Sequence, residues 1–566
     1  MMGWKKVSLG LGIVFSLFLF IDIAHAGVNW TKWSYFLNTG GLNDNLSSTE
    51  IADNEASDLQ NVVFDTGGAV KKRYGYSAVS AEPVGAVATG DVVSITGLAF
   101  YQKNNGNRCV VALANNDGTL VARKKDYTSS TGGLENGNWE DIDDLVGTFP
   151  SSYSANYISD FTVAEDNLIF TIGTTSLALA RKPYKYTGTG GVAYLTTDTD
   201  CPTATMVEYH KNHLFLAGNY TDPSRVWFSE LDDITTYTAT DFFDVQTADG
   251  TQVRGLKSAF DSLYIFKDKS IWRLSGNERD SFQLSLMVSG VGTLSNNSIQ
   301  VIGGFIYFTT AQGDIAVYDG AYTVGFPSQK IRNTIGGLNF QRAQYAQGLA
   351  FSTYKYADCD YYCSVSSALV SEHDTVLLYD TAYKAWTKFK GINANVWCVA
   401  DGSAGQNAIL FGDNDGYVHQ YPSTHYYDCD VASEAVAGFV EVTNAITAFY
   451  QTKWFKYDSL CLGDKYWRLL KTYTLSEDTT TYLEAECKAD QEASGKILTL
   501  SLTPLQSLWD TAIWDSSLWG GVTIMISRNE VEKGKEMFQL KYSNDDVNRG
   551  FTVLGWSIFI EPTDRI

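Results

Sequence analysis

Short apolar runs, each closed by a tight polar turn and followed by a second run, recur along most of the chain. Examples are "LAFYQKNNGNRCVVALANNDGTLVAR" from Leu98, "DFTVAEDNLIFTIGTTSLALAR" from Asp160 and "MVEYHKNHLFLAGNY" from Met206. "GLKSAFDSLYIFKDKSIWRLSG" from Gly255 and "SIQVIGGFIYFTTAQGDIAVYDG" from Ser298 repeat the design, with weaker copies ending near Phe389 and Pro422. Leu263 and Ile265 fall on one face of such a run and Tyr264 and Phe266 on the other, the pattern of a strand buried on both sides. Most units are spaced by ~45–50 residues, the length of one four-stranded propeller blade. About seven of them fit between residues ~80 and ~430, so the pattern predicts an all-β fold: a β-propeller of about seven blades. The stretches around 125–155 and 325–360 fit it poorly. Leu263, Ile265, Ile306 and Phe308 are expected in central or second strands of successive blades.

Both ends of the repeat region read differently. "VVFDTGGAVKKRYGY", Val62 to Tyr76, predicts a hairpin turning at Asp65-Thr66-Gly67-Gly68. Its strand would either close the ring against residues 408–420 or form a hairpin on the C-terminal domain. Beyond residue 430 the strands lengthen, as in "LLKTYTLSE" and "FTVLGWSIFIEP", which predicts a separate β-sandwich. The implied division is a leader over 1–26, an extended arm and hairpin over 27–80, a propeller over 81–430 and a sandwich-like domain over 431–566.

Composition agrees with strands. Aromatic residues make up 14% of the chain and charged residues 19%, with 49 Gly and 9 Pro. Bulky flat side chains suit pleated surfaces and Gly suits the corners between them. The net charge of −22 and the lack of a basic stripe argue against tight reading of nucleic acid, which needs clustered Lys and Arg. An acidic channel past which DNA slides without sticking is compatible with that charge. Lys5 and Lys6, the apolar run Val7–Ile21 and Ala24-His25-Ala26 read as a signal peptide, its apolar part too short to span a bilayer unaided, with an uncleaved anchor or a buried N-terminal helix as the alternative. Eight cysteines are too few for a disulfide scaffold and read mostly as small buried hydrophobes, with Cys359 and Cys363 near enough to pair locally.

No catalytic constellation stands out. His210 and His213 lack the spacing of a zinc-binding helix around a Glu. "GDNDGYV" around Asp413 and Asp415 starts like a calcium loop but lacks its later ligands, and reads as a hairpin turn beside His419. Adjacent acids such as Asp141, Asp143 and Asp144, Asp232 and Asp233, or Asp545 and Asp546 suit solvated turns better than a glycosidase pair facing across a cleft. No nucleophile elbow, phosphate loop or dinucleotide fingerprint occurs. The reading is a non-enzymatic chain with no cofactor, no metal site and no stable membrane insertion. Trp509, Trp514 and Trp519, five residues apart, are the candidate interface: aromatic anchors filling a seam between subunits, or else packing inside the sandwich.

Several segments resemble the propeller-containing tail-hub, nozzle or DNA-stabilisation structural proteins of short-tailed bacteriophages. The most specific are "GGLNDNLSSTEIADNEASDLQNVVFDTGGAVKKRYGY", Gly40 to Tyr76, and "WDTAIWDSSLWGG", Trp509 to Gly521. Weaker ones are "LFLAGNYTDPSRVWFSE", "VYDG", "KAWTKF" and "TKWFKYD", all in the family's order. The resemblance implies a virion component: a homo-oligomeric ring below the phage portal and adaptor, in contact with other tail proteins. DNA would meet it only as a weakly contacted passing genome. The leader departs from that family and keeps a second reading open, a periplasmic or secreted propeller binding glycans or partner proteins.

Overall fold

The computed structural model describes residues 31–32 and 38–562, except 66, 81, 86–92, 128–133, 135–137, 144–148, 150–152, 155, 175, 352–359, 369, 371, 402–406, 432–440, 457–464, 478–480 and 504–523. Within them the chain forms seven four-stranded antiparallel sheets and a two-sheet sandwich. Blade 1 comprises strands 93–102, 108–116, 119–126 and 140–141; blade 2, 160–164, 167–171, 184–186 and 193–194; blade 3, 206–210, 213–217, 225–228 and 242–244. Blade 4 follows with 253–259, 262–267, 270–275 and 283–289; blade 5 with 300–302, 305–309, 315–318 and 324–325; blade 6 with 347–351, 360–365, 375–380 and 385–390. First strands of most successive blades touch one another, which places them around the axis. The architecture is a seven-bladed β-propeller with a β-sandwich, as the apolar pattern predicts.

The expected buried pairs fall in place: Leu263 and Ile265 lie in the second strand of blade 4, Ile306 and Phe308 in that of blade 5. All four are fully buried. In blades 2 to 5 the first and second strands meet at a two-residue turn: Glu165-Asp166, Lys211-Asn212, Phe260-Asp261 and Gly303-Gly304. Both residues of each turn have positive φ, the primed turn that matches strand twist. The poorly fitting stretches also have a cause. Blade 1 ends in an outer strand of two residues, and blades 5 and 6 are joined by the short helical turns 327–331, 332–336 and 340–345.

Blade 7 contains strands 396–401, 407–412 and 418–421, and its fourth strand comes from the N-terminal side of the propeller. Ser77 and Ala78 pair with Gln420 and His419, closing the ring and removing its open edge. The predicted hairpin plays the other of its two roles. Val62–Phe64 pairs with Val70–Lys72, which pairs in turn with 552–562 inside the sandwich.

One sandwich sheet has the order 62–64, 70–72, 552–562, 465–475, 524–535; the other has 41–42, 55–60, 448–452, 537–544, 482–489, 496–501. The arm upstream of residue 72 is thus part of both sheets. Between them Trp467 stacks on Phe538 at 5.1 Å, and Trp556 lies 6.4 Å from the same ring. This core runs without a break into blades 5 and 6 through Tyr307, Tyr361, Tyr379 and Trp386.

Gly41 sits at that seam with φ of +71°, and a Cβ there would lie 2.6 Å from the Trp386 backbone nitrogen. Both left-handed strain and overlap oppose any side chain. Gly41→Ala is expected to lower unfolding free energy by about 2 kcal/mol, measured by denaturant titration.

Candidate functional site

The axis of a propeller poses a hydrogen-bonding problem, because the inner edge of every first strand lacks a strand partner. Here side chains reach across to do the work. Asp160, at the head of blade 2, accepts from Val207 N of blade 3 through Oδ2 at 2.9 Å and from Phe161 N through Oδ1 at 3.1 Å. Glu208 of blade 3 accepts from Ser258 N of blade 4 at 2.9 Å. Asn296, entering blade 5, accepts from Leu256 N of blade 4 at 3.0 Å, and Gln300 donates to Gly348 O of blade 6 at 3.0 Å. Asn395 ties blade 7 to blade 1 by donating to Ile95 O at 2.6 Å.

Asp160, Glu208, Asn296 and Gln300 line a throat of 190 Å³ to which the first strands of all seven blades contribute. Burial pushes the Asp160 carboxyl up to about 7, with the neighbouring Glu208 charge adding to the rise and Lys257 opposing it. Glu208 is also raised, by burial, again against Lys257. The throat thus holds two carboxyls whose ionisation is disfavoured and one lysine, Lys257, whose charge opposes both shifts.

Toward the end where the first strands begin, the throat widens into a funnel of 650 Å³. Its wall carries Tyr157, Tyr220 and Tyr345 with Asn219, Gln252 and Gln344. Tyr220 is 57% exposed. Arg254 on the wall is held by Asp268 at 2.7 Å, and Asn219 is fixed by donating to Thr203 O at 2.9 Å.

None of the candidate catalytic, metal or interface residues weighed in the sequence lines the funnel or throat. Trp509, Trp514 and Trp519 lie outside the described residues, as does the leader. His210 shares a hydrogen bond of 2.7 Å with Ser258 Oγ, and burial drops its pKa to about 4. His213 is buried against Ser229 O, and His373 contacts Tyr345 O with its pKa lowered to about 4 by burial. Asp413 accepts from Asp415 N and Tyr417 N, the bonding of a tight turn, while its second oxygen meets His419 Nε2 at 2.7 Å. Cys363 is a buried free thiol, and Cys359 lies outside the described residues. Among the described residues no three His, Cys, Asp or Glu side chains gather as metal ligands, and no helix is long and apolar enough to cross a membrane.

A signal for the throat does exist in the sequence. Glu208, Lys257 and Gln300 each stand three residues before the two-residue turn of their blade, opposite Phe215, Tyr264 and Tyr307. One polar residue at a matched step of an otherwise apolar unit marks the face turned to the axis.

No family model and no curated protein matches the chain. Among solved structures it is similar to YCF48 bound to D1 peptide, at 11% identity and a TM-score of 0.33, over 62% of this chain and 98% of that one. The WD40 domain of Neurospora crassa Pan2 matches at 10% identity and 0.35, over 62% and 96%. An exo-beta-1,3-galactanase from Phanerochaete chrysosporium matches at 8% and 0.25, over 86% and 100%. Likeness at this level carries nothing about activity. The fold rests on the chain's own strand pairing: a seven-bladed β-propeller joined to a β-sandwich.

Proposed function

We propose that the chain is a non-enzymatic structural subunit of a short-tailed phage tail. Copies assemble into a ring below the portal and adaptor, and the ring retains the genome and lets it pass. One observation carries this reading: the most family-like block, Gly40 to Tyr76, is the segment that joins propeller to sandwich. Leu42 is buried in the shared core, Asn43 donates to Glu55, and Glu55 pairs with Lys330 at 2.9 Å. Asp44 accepts from Asn333 N and Thr334 N, and Asn61 accepts from Arg73 Nε and Lys390 N. The motif residues make a joint between two domains, which is what a rigid ring subunit needs. The charge of −22 supports a lumen that repels phosphate, so that the genome passes without being gripped.

The test is reconstitution with a portal–adaptor assembly, imaged by electron microscopy. Docked rings with no tight, salt-sensitive DNA affinity are the expected result. A protein lacking residues 1–26 that stays monomeric at every concentration would instead favour an exported binding module. Within the ring reading, Trp514→Ala is expected to weaken oligomerisation at least tenfold while shifting the monomer's melting by much less. Equal losses in both assays would place that tryptophan in ordinary core packing.

A further inference from the structure

We propose that the funnel is a binding site for a short neutral oligosaccharide. Its 650 Å³ lies within the range of small-ligand sites, about 300–1,000 Å³. Three tyrosines face it, and a tyrosine ring offers a flat apolar surface with a polar tip at low conformational cost. Gln252 and Gln344, both exposed on the same wall, each carry an amide that can donate and accept, the pairing a sugar hydroxyl requires.

Two features select this ligand class over others. The basic group on the funnel wall, Arg254, already faces Asp268 through Nε at 2.7 Å, so its charge is largely countered before an anionic ligand arrives. A peptide commonly binds a β-fold by adding a strand to an open edge. Here Val207 N, Leu256 N and Ser258 N on the inner edges are taken by Asp160, Asn296 and Glu208. The ligand must therefore be held by side chains, through ring faces and amides.

This site is independent of the tail reading, and its test does not depend on ring assembly. The full chain would be titrated with cellotriose, maltotriose and chitotriose to about 10 mM, where weak ligands still register, with triglycine in parallel. Binding would be read by saturation-transfer NMR. At least one trisaccharide is expected to bind, and Tyr220→Ala and Gln252→Ala are each expected to weaken it about tenfold or more. Tyr322→Ala, a more exposed tyrosine that does not line the funnel, should bind as the parent does. Two surface variants guard against one failing to fold. Absence of binding by all three sugars, binding that survives in both funnel variants, or binding of triglycine alone would overturn the proposal.

Discussion

Arg73→Ala should lower the unfolding free energy by about 3–5 kcal/mol, the range for removing one partner of a buried ion pair. The guanidinium is fully buried and spends all five of its donors. Nη1 and Nη2 meet the two oxygens of Asp428 at 2.8 and 2.6 Å, Nε meets Asn61 Oδ1 at 3.0 Å, and the remaining two reach Tyr74 O and Lys390 O. Truncation takes from the Asp428 carboxylate, itself buried, its two-pronged guanidinium partner. It also strips partners from a strand entering the sandwich, from blade 6 and from strand 427–431, which follows blade 7. Arg73→Lys should recover little, because one ammonium cannot serve a fork of five directions. Denaturant titration of the single variants and of Arg73→Ala with Asp428→Ala checks this: the double variant should lose less than the sum of the two singles. A loss below about 1 kcal/mol in Arg73→Ala would mean that the clamp is not what holds the joint.

The throat gives the second large effect, a fall in stability as pH rises. In the unfolded chain Asp160 loses its proton near pH 4, whereas in the folded throat it keeps it until about 7. Below pH 4 both states are protonated and the group is neutral in the balance. Between pH 4 and 7 the unfolded state has shed its proton and the folded state has not, so ionisation favours unfolding with every step in pH. Above 7 the loss is complete and constant. A shift of this size corresponds to at most about 4 kcal/mol, and screening by water in the throat reduces that to about 2. Glu208 contributes in the same direction, and Lys257 tempers both. Asp160→Asn removes the linkage while keeping one acceptor for Val207 N or Phe161 N. Its stability relative to the parent should rise by about 2 kcal/mol between pH 4.5 and pH 8. Parallel curves for the two proteins would show that Asp160 titrates normally.

Alternation and turn chemistry made the blades legible, because a second strand buried on both faces leaves a continuous apolar run such as Leu263 to Phe266. The partners of "VVFDTGGAVKKRYGY" were not legible. Lys72 and Arg73 look like a solvated basic edge, yet both are fully buried. Lys72 donates to Asn544 Oδ1 and Asp546 O, and Arg73 to Asp428, groups hundreds of residues downstream that local pattern cannot reveal. Composition also hid the throat. Asp160 and Glu208 stand among apolar residues that any strand shows, and only the shared phase of Glu208, Lys257 and Gln300 against their turns exposes the axis. Asp413 and His419 were readable for the opposite reason, since an Asn-Asp-Gly turn bonds to itself within a few residues.

The arm has a consequence for how the protein is made. Ser77 and Ala78 meet their partners once the ribosome has passed residue 421, so the propeller can close while synthesis continues. Strand 70–72 has to wait for 552–562, and strand 55–60 for 448–452 and the strands beyond. At about 5–20 residues per second that interval is on the order of a minute. Throughout it Leu59 and the hairpin residues Val62 and Phe64, all buried in the finished fold, stand without the strands that cover them. A chaperone that holds extended apolar segments should therefore be found on this arm in stalled ribosome complexes, and should leave once the final strand has emerged.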